Sequence, residues 1–472
     1  MSRAVVVGGG WAGLAASWFL AQAGWTVDLV ERRTTLGGRA FSFPDQRAGR
    51  ILDNGQHVLL GACTAVRSWL QELGLEGAMT FEPRLDLPVF AEGTWGRLYS
   101  RSCPGPFHLL AALARYPHLA PQERLALGIA ARDLRRPASD EESFRSWLRA
   151  RGQSARAVER FWDLVVTAVL NTPADAASAA LAVQAFRLGF LRGAEPARLG
   201  FFRWPLGDVA QRIGEALRRV GVQVRLGTTV QAVHPRGSGP VRVVYDDGTA
   251  STADAVVLAV PPDRLGPLVG PDPRVARWQT LAWSPIVNVY LLYDRPLGGP
   301  PVFAFGEQHG AFVFDRDALL GVPPGRTDRL LAVSISAARG WIRRPAAELV
   351  AAVAADLARA LPRAKDARLL HWRVVWQPRA TFWARPGVET IRPADPRWHA
   401  AVVVAGDWTG TGWPASLESA VRSGRAAAAV LAGVPLRAAT DSPLADTPRR
   451  EPDPRVPRRR PSPAHRTEEH HG

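Results

Sequence analysis

Three glycines near the start of the chain, Gly8, Gly10 and Gly13, stand in the spacing G-x-G-x-x-G. Directly before them lies Ala4-Val5-Val6-Val7, a continuous apolar run of the kind a buried parallel strand needs. Directly after them, residues 14–23 are rich in Ala and Leu and read as a helix ended by Gly24. In that setting each glycine has a task. Gly8 permits a tight turn, Gly10 lets the backbone approach a pyrophosphate, and Gly13 lets helix and strand pack. With Trp11 and Ala12 between them, they offer the N–H groups of a helix N-terminus to phosphate oxygens. The second strand, Val27 to Val30, ends at Glu31, where a carboxylate can accept hydrogen bonds from ribose hydroxyls. It would repel a 2′-phosphate, so the spacing predicts a dinucleotide site that disfavours NADP.

Two further constellations narrow the dinucleotide. Arg32 and Arg33 are followed by Leu36-Gly37-Gly38-Arg39. This resembles the R-x-x-x-x-G-G-R extension of the amine oxidase and phytoene desaturase superfamily of FAD proteins, with Arg32 or Arg33 as the leading arginine. The resemblance implies that Gly38 lets the chain pass close to the cofactor and that Arg39 sits near its phosphates or its flavin. Near the other end, Gly406-Asp407-Trp408-Thr409 and Trp413-Pro414-Ala415-Ser416-Leu417-Glu418 lie between a buried strand, Val402 to Ala405, and a helix from about 415 to 431. By the same resemblance, Gly406 and Asp407 approach the ribityl or pyrophosphate portion. The helix start at Ala415, Ser416 and Leu417 would point its N–H groups at the flavin pyrimidine, where a helix dipole stabilises anionic reduced flavin. Val230, on a strand that follows Gly227, matches the position whose backbone contacts adenine.

Asp53-Asn54-Gly55-Gln56-His57-Val58-Leu59-Leu60-Gly61 and Leu170-Asn171-Thr172-Pro173, followed by Ala177-Ser178, are more particular. Together with the C-terminal motif they look like the hydroxysqualene dehydroxylases, the squalene-associated FAD-dependent desaturases of hopanoid and squalene biosynthesis. The resemblance spans roughly residues 3–433. It implies reductive removal of an allylic hydroxyl to give squalene, with hydride delivered from N5 of reduced FAD to a stabilised carbocation. Gly55, Gln56 and His57 then lie at the cofactor. His57 is the candidate acid near the flavin face; the plainer reading is a histidine packed in the FAD domain that bonds cofactor or backbone. Asp53 is read as a turn residue rather than a catalytic one. Asn171 either caps a helix or faces the pocket. A carotenoid-type desaturase, which runs the hydride the other way, is the alternative activity. A non-catalytic flavin-containing lipid carrier or scaffold is the alternative of another class.

These motifs need a framework, and 472 residues suffice for two or three domains. The fold class read from them is α/β: a Rossmann-like FAD-binding domain of the glutathione-reductase type with an α+β substrate domain. The FAD-binding domain is expected from 1–80, 205–270 and 396–435. A largely helical cap is expected over 81–204 and a mixed β-sheet over 271–395. Within these, 34–60 reads as irregular and 346–361 as an Ala-rich helix, and Asp247-Gly248 marks a hairpin turn. Residues 436–472, rich in Pro and Arg, read as a disordered tail.

Hydrophobic residues make up 47 % of the chain and charged ones 22 %, as in a soluble globular protein. The net charge is +16, yet 436–472 hold eight Arg against six Asp or Glu, so most of the excess lies on the body. No basic run of the kind that reads nucleic acid interrupts that body, and nucleic acid is not an expected partner. The expected partners are a long-chain isoprenoid, other squalene-pathway enzymes, and a membrane surface touched from the cytoplasmic side. Seventeen Trp and seventeen Phe supply material for a long apolar pocket. Phe107 to Leu119 either dips into a membrane surface or forms a cap-domain core helix. No stretch approaches the roughly 18 apolar residues of a membrane span, and Met1-Ser2-Arg3 is not a signal peptide. Cys63 and Cys103 form neither a metal-ligand spacing nor a disulfide framework, so no metal is expected.

Overall fold

The computed structural model describes residues 1–433, apart from 104, 238, 307–310 and 322–326. The tail expected over 436–472 therefore lies outside the described residues.

Two sheets organise the chain. The first has six strands in the order Gln223–Leu226, Thr26–Glu31, Arg3–Val7, Ala255–Leu258, Val402–Val404, Arg397–His399. All its pairs are parallel except the last. The central strands are continuous runs of Val, Leu and Ala because helices cover both faces; Val5, Val6, Val257 and Val403 are fully buried. Helix Leu206–Arg219 shows the matching one-sided pattern, burying Leu206, Val209, Ala210, Ile213 and Leu217 at helical spacing. Helices Trp11–Gln22 and Leu417–Leu431 pack against each other so closely that a Cβ at Gly424 would come 2.2 Å from the Ala12 carbonyl oxygen. Both helices leave the carboxyl ends of parallel strands, the edge of such a sheet where ligands bind.

The second sheet has seven strands in the order Leu369–Phe382, Trp283–Tyr293, Arg329–Ile335, Ala311–Asp315, Val302–Phe305, Asp86–Ala91, Thr94–Tyr99. Segments from 86–99 and from 283–382 thus share one sheet. Between them in sequence lie helices Pro121–Asp133, Phe144–Arg149, Asp163–Leu170 and Ala179–Gly189, and Phe144, Trp147 and Phe186 from two of these pack with Trp162, which ends the segment Val158–Trp162. The expected turn at Asp247-Gly248 joins strands Gly239–Tyr245 and Ala250–Ala253.

Two expectations need correction. Residues 34–60 are not irregular throughout: Ser42–Asp45 pairs with Arg50–Asp53, and Val58–Leu60 pairs with Leu199–Phe202. These strands are three or four residues long, too short to show a period. Asp53 is no turn residue. It ends the strand Arg50–Asp53 with its side chain buried, and it holds three donors: Ser42 Oγ at 2.6 Å, the Leu206 N–H at 2.9 Å and Arg316 Nη2 at 2.8 Å.

Candidate active site

The glycine turn stands as the spacing requires. Gly8 has φ +107°, and a Cβ there would lie 2.5 Å from the Ala259 carbonyl oxygen. A Cβ at Gly13 would meet the Gly8 carbonyl oxygen at 1.9 Å, so helix and strand touch backbone to backbone. Gly10 is different. A Cβ there would meet nothing nearer than Gly38 Cα at 3.9 Å, so protein packing does not demand this glycine.

The Leu36–Arg39 loop lies against this turn. Gly37 N–H donates to the Gly9 carbonyl at 2.9 Å, and Gly10 and Gly37 form a parallel bridge. Asn54 staples the loop from beneath: its Nδ2 donates to the Arg39 carbonyl at 2.6 Å and its Oδ1 accepts from the Phe41 N–H at 3.1 Å. Of the two leading arginines, Arg33 reaches back, donating from Nη1 to the Gly38 carbonyl at 3.0 Å, while Arg32 is exposed. Arg39 forms an ion pair with Asp407 and donates to the Ala380 carbonyl at 3.1 Å. The glycine turn, the Gly-Gly-Arg loop and the Gly406-Asp407 turn therefore surround one region.

Helix N-termini around this region are treated unequally. Helix Leu206–Arg219 has no side-chain cap of its own, and Asp53 with Ser42 serves its first N–H groups. Helix Thr64–Glu72 also lacks one; Glu418, fully buried, accepts the Ala65 and Val66 N–H groups at 3.0 Å each. Helix Leu417–Leu431 is capped by its own Ser416, whose Oγ accepts from the Ser419 N–H at 3.1 Å. Helix Trp11–Gln22 has no side-chain cap and no acidic residue in its first turn, and alone of the four it has no side chain among the described residues bonded to its first N–H groups. The N–H groups of Trp11, Ala12 and Gly13 precede its first helical bond, Leu14 N–H to the Gly10 carbonyl. An uncapped N-terminus beside a glycine that packing does not require fits a pyrophosphate. Glu31 ends the adjacent strand, accepting from Gly9 N–H at 2.6 Å and from Arg33 N–H at 2.9 Å, and its carboxylate retains lone pairs for a ribose. The Thr228 N–H donates to the Glu31 carbonyl at 3.1 Å, which brings the chain before Val230 to the same edge.

Gly55, Gln56 and His57 lie between the two sheets. Asn288, buried on strand Trp283–Tyr293, donates to the Asn54 carbonyl at 3.2 Å and accepts from the Gln56 N–H at 3.4 Å. Gln56 Oε1 is buried without a hydrogen-bond partner, an acceptor left for a bound group. His57 Nδ1 is 3.0 Å from the Gly55 carbonyl. Burial holds the imidazole below the usual histidine pKa, outweighing the Gly55 bond that raises it. Nδ1 must then carry the proton, because a carbonyl only accepts, and Nε2 of the neutral ring is an acceptor. This geometry speaks against His57 as a proton donor near neutral pH.

Asn171 caps a helix. It ends Asp163–Leu170 in the left-handed conformation, φ +51°, and its side chain is saturated by the Ser284 carbonyl, Thr381 Oγ1 and the Ala337 N–H. Sequence reasoning missed Arg392, which is buried and donates to the carbonyls of Trp408, Thr409 and Trp413, ordering the turn before helix Leu417–Leu431. Only its ion pair with Glu389 is local; the three carbonyls it orders lie 16–21 positions away, beyond the reach of any sequence pattern.

An open cavity of about 820 Å³ adjoins the second sheet, lined by Trp95, Tyr99, Leu199 and Phe201 together with Arg97 and Arg115. It is less uniformly apolar than the expected pocket. Phe201 pairs with Val58, the neighbour of His57. Among the described residues no group of His, Cys, Asp or Glu is arranged to hold a metal ion, and no helix is long and apolar enough to cross a membrane. Cys63 and Cys103 are free thiols, and burial pushes the Cys63 thiol far up.

Residues 11–432 match the family described as flavin containing amine oxidoreductase. Over 445 residues the chain is 31 % identical to a hydroxysqualene dehydroxylase of Rhodopseudomonas palustris, covering 92 % of this chain and 99 % of that protein. It is 26 % identical to a chloroplastic/chromoplastic 15-cis-phytoene desaturase of Solanum lycopersicum, covering 89 % of this chain and 76 % of that one. Among solved structures, putrescine oxidase superposes with a TM-score of 0.69 at 21 % identity, covering 91 % of this chain and 98 % of the other. An oxidoreductase from Methanosarcina mazei gives 0.70 at 18 % identity, covering 89 % and 98 %. At these identities the two structures establish the fold.

Proposed function

Because the chain belongs to the flavin-containing amine oxidoreductase family and is an FAD-dependent oxidoreductase, we propose that it removes the hydroxyl of hydroxysqualene reductively to give squalene. The observation that carries this reading is the 31 % identity, over 92 % of this chain, with the Rhodopseudomonas palustris hydroxysqualene dehydroxylase. FAD, when bound and reduced, supplies the hydride.

The chain's own residues have four tasks in this reading. Gly8, Gly10, Trp11, Ala12 and Gly13 bind the pyrophosphate through backbone N–H groups and the helix dipole, with Gly38, Arg39, Gly406 and Asp407 closing over it. Glu31 holds a ribose, and the backbone at Val230 meets adenine. Ala415, Ser416 and Leu417 present a helix start to the flavin pyrimidine, and Gly55 and Gln56 flank the ring system. His57 Nε2 would accept a hydrogen bond from the substrate hydroxyl and so orient it, and that oxygen would take a proton from solvent water and depart as water. The segments 1–80, 205–270 and 396–435 form the cofactor half. The remainder encloses the hydrocarbon and excludes water from the developing cation. An isoprenoid of this length resides in lipid, so the reading also carries peripheral contact with a membrane.

The test is anaerobic. Purified FAD-loaded protein, reduced chemically, is given hydroxysqualene, and the lipids are identified by mass spectrometry. Squalene formed in step with flavin reoxidation is the expected result. Untouched hydroxysqualene, together with bleaching of oxidised flavin by polyenes, would overturn it in favour of a desaturase, the activity named for the Solanum lycopersicum relative.

A further inference from the structure

Four of the exposed large apolar side chains fall within 23 consecutive positions: Phe107 is 57 % exposed, Leu110 53 %, Leu125 75 % and Ile129 59 %. Leu125 and Ile129 stand four apart on helix Pro121–Asp133, whose opposite side buries Leu127 and Ala130. The outward stripe reads Gln122, Leu125, Gly128, Ile129, Arg132 and carries no carboxylate. Hydrogen bonds draw the apolar pairs together. Arg124 donates to the carbonyls of Leu119 and Ala114, at 2.9 and 2.8 Å, tying this helix to the segment after Leu110. His108 Nε2 bonds the Phe190 carbonyl at 2.8 Å, tying the Phe107 turn to the chain just before Arg192.

A second, independent feature lies beside them. A cavity of about 240 Å³ is lined by Arg135, Arg187 and Arg192 with Gln184, Leu188 and Leu191, and no acidic residue faces it. From Arg101 to Arg136 the chain holds six arginines and two carboxylates, and both carboxylates are engaged inward. Glu123 bonds Ser154 and the Ala120 N–H, and Asp133 pairs with Arg151. Arginines thus flank the apolar patch, and the two carboxylates of this segment are already paired.

We propose that this face seats the protein on a lipid bilayer containing anionic phospholipids, with Phe107, Leu110, Leu125 and Ile129 entering the interface and the three-arginine cavity receiving a headgroup phosphate. Exposed apolar side chains flanked by arginine are a composition that binds the interface of an anionic bilayer. Arginine forks suit phosphate oxygens. The open cavity of about 820 Å³ is rimmed by Arg115 and Pro117, which follow the Leu110 helix directly, so it opens at the margin of the seated face.

The experiment is cosedimentation of the full, FAD-loaded chain with phosphatidylcholine vesicles and with the same vesicles containing phosphatidylglycerol. Binding is expected only to the anionic vesicles and is expected to weaken with salt. The triple variant Arg135→Gln, Arg187→Gln, Arg192→Gln should bind about a hundred-fold more weakly, from roughly five-fold per arginine near an anionic surface. Leu125→Ser with Ile129→Ser should lose about ten-fold or more. The tail is present in every variant, so its charge cancels in the comparison, and flavin absorbance with melting temperature reports that each variant is folded. Equal binding to both vesicles, or variants that bind as the parent does, would overturn the proposal. So would calorimetric binding of inorganic phosphate without vesicle binding, or a dimer that the Leu125/Ile129 variant converts to monomer in the absence of lipid. Because sedimentation requires no turnover, a negative result with hydroxysqualene leaves this inference standing.

Discussion

Arg39 and Asp407 stand 368 positions apart in the chain and form an ion pair that locks the Gly-Gly-Arg loop to the Gly-Asp turn. Both side chains are partly shielded, and Arg39 also lies over the Trp283 ring and bonds the Ala380 carbonyl on the second sheet. One guanidinium therefore links both ends of the cofactor region to the substrate sheet. A charge-assisted bond of this kind is worth roughly 1.5–3 kcal/mol. Asp407→Asn is expected to raise the FAD dissociation constant about ten-fold, read by fluorescence of released flavin. Unchanged retention would remove the pair from cofactor binding.

Gly10→Ala and Gly13→Ala should separate binding from packing. Gly13→Ala forces a Cβ into the Gly8 carbonyl and is expected to lower the melting temperature sharply. Gly10→Ala meets nothing within the protein closer than 3.9 Å, so the fold should survive while the ratio of flavin to protein absorbance falls. Full flavin content in Gly10→Ala would mean that the phosphates approach elsewhere.

Asp53 and Arg316 form an ion pair in which the side chains are only 3 % and 2 % exposed, and Tyr290 donates to the Asp53 carbonyl at 2.7 Å. Removing one partner of such a pair strands a buried charge, at a cost of about 3–5 kcal/mol. Asp53→Asn should therefore destabilise strongly in urea. The double change Asp53→Asn, Arg316→Met should recover part of the loss. A double variant no more stable than the single one would mean that the Ser42 and Leu206 bonds, not the ion pair, carry the effect.

His57, His108 and His118 are each held below the ordinary histidine value, in every case chiefly by burial. In the unfolded chain they titrate near about 6.5. Below that pH the unfolded chain takes up protons that the folded one refuses. Stability is thus full above about pH 6.5 and falls as the pH drops through it. Urea unfolding at fixed excess FAD should show this loss, and His118→Gln should make the slope shallower. An unchanged slope in a variant lacking all three histidines would refute the assignment.

The parts legible in the sequence are those whose reasons are local. The tight turn at Gly8 and the close packing at Gly13 were legible because strand, turn and helix follow within a few residues, and the helix at Ala346–Ala360 reads from its own composition. Strand Leu369–Phe382, one of the longest, left no readable trace. It is an edge strand of half-exposed residues interrupted by Pro378, and the register shifts where the proline falls, between the partners of Ser284 and Ile286. Asp53, Arg392 and Glu418 were opaque for another reason. Each is a charge whose meaning lies in partners brought near by the fold: Leu206 and Arg316 for Asp53, backbone carbonyls for Arg392, and Ala65 and Val66 for Glu418.

The position of Glu418 also bears on how the protein is made. Its carboxylate completes a helix that begins 354 residues earlier, at Thr64, and strand Val402–Val404 closes a sheet whose first strand begins at Arg3. Contacts of such sequence separation form slowly and late. During synthesis the nascent N-terminal sheet must wait, with an open edge at Ala255–Leu258, until the ribosome has released the last helix. That interval is a period in which an unpaired strand edge and its apolar surface stand exposed, the condition under which unfinished chains aggregate.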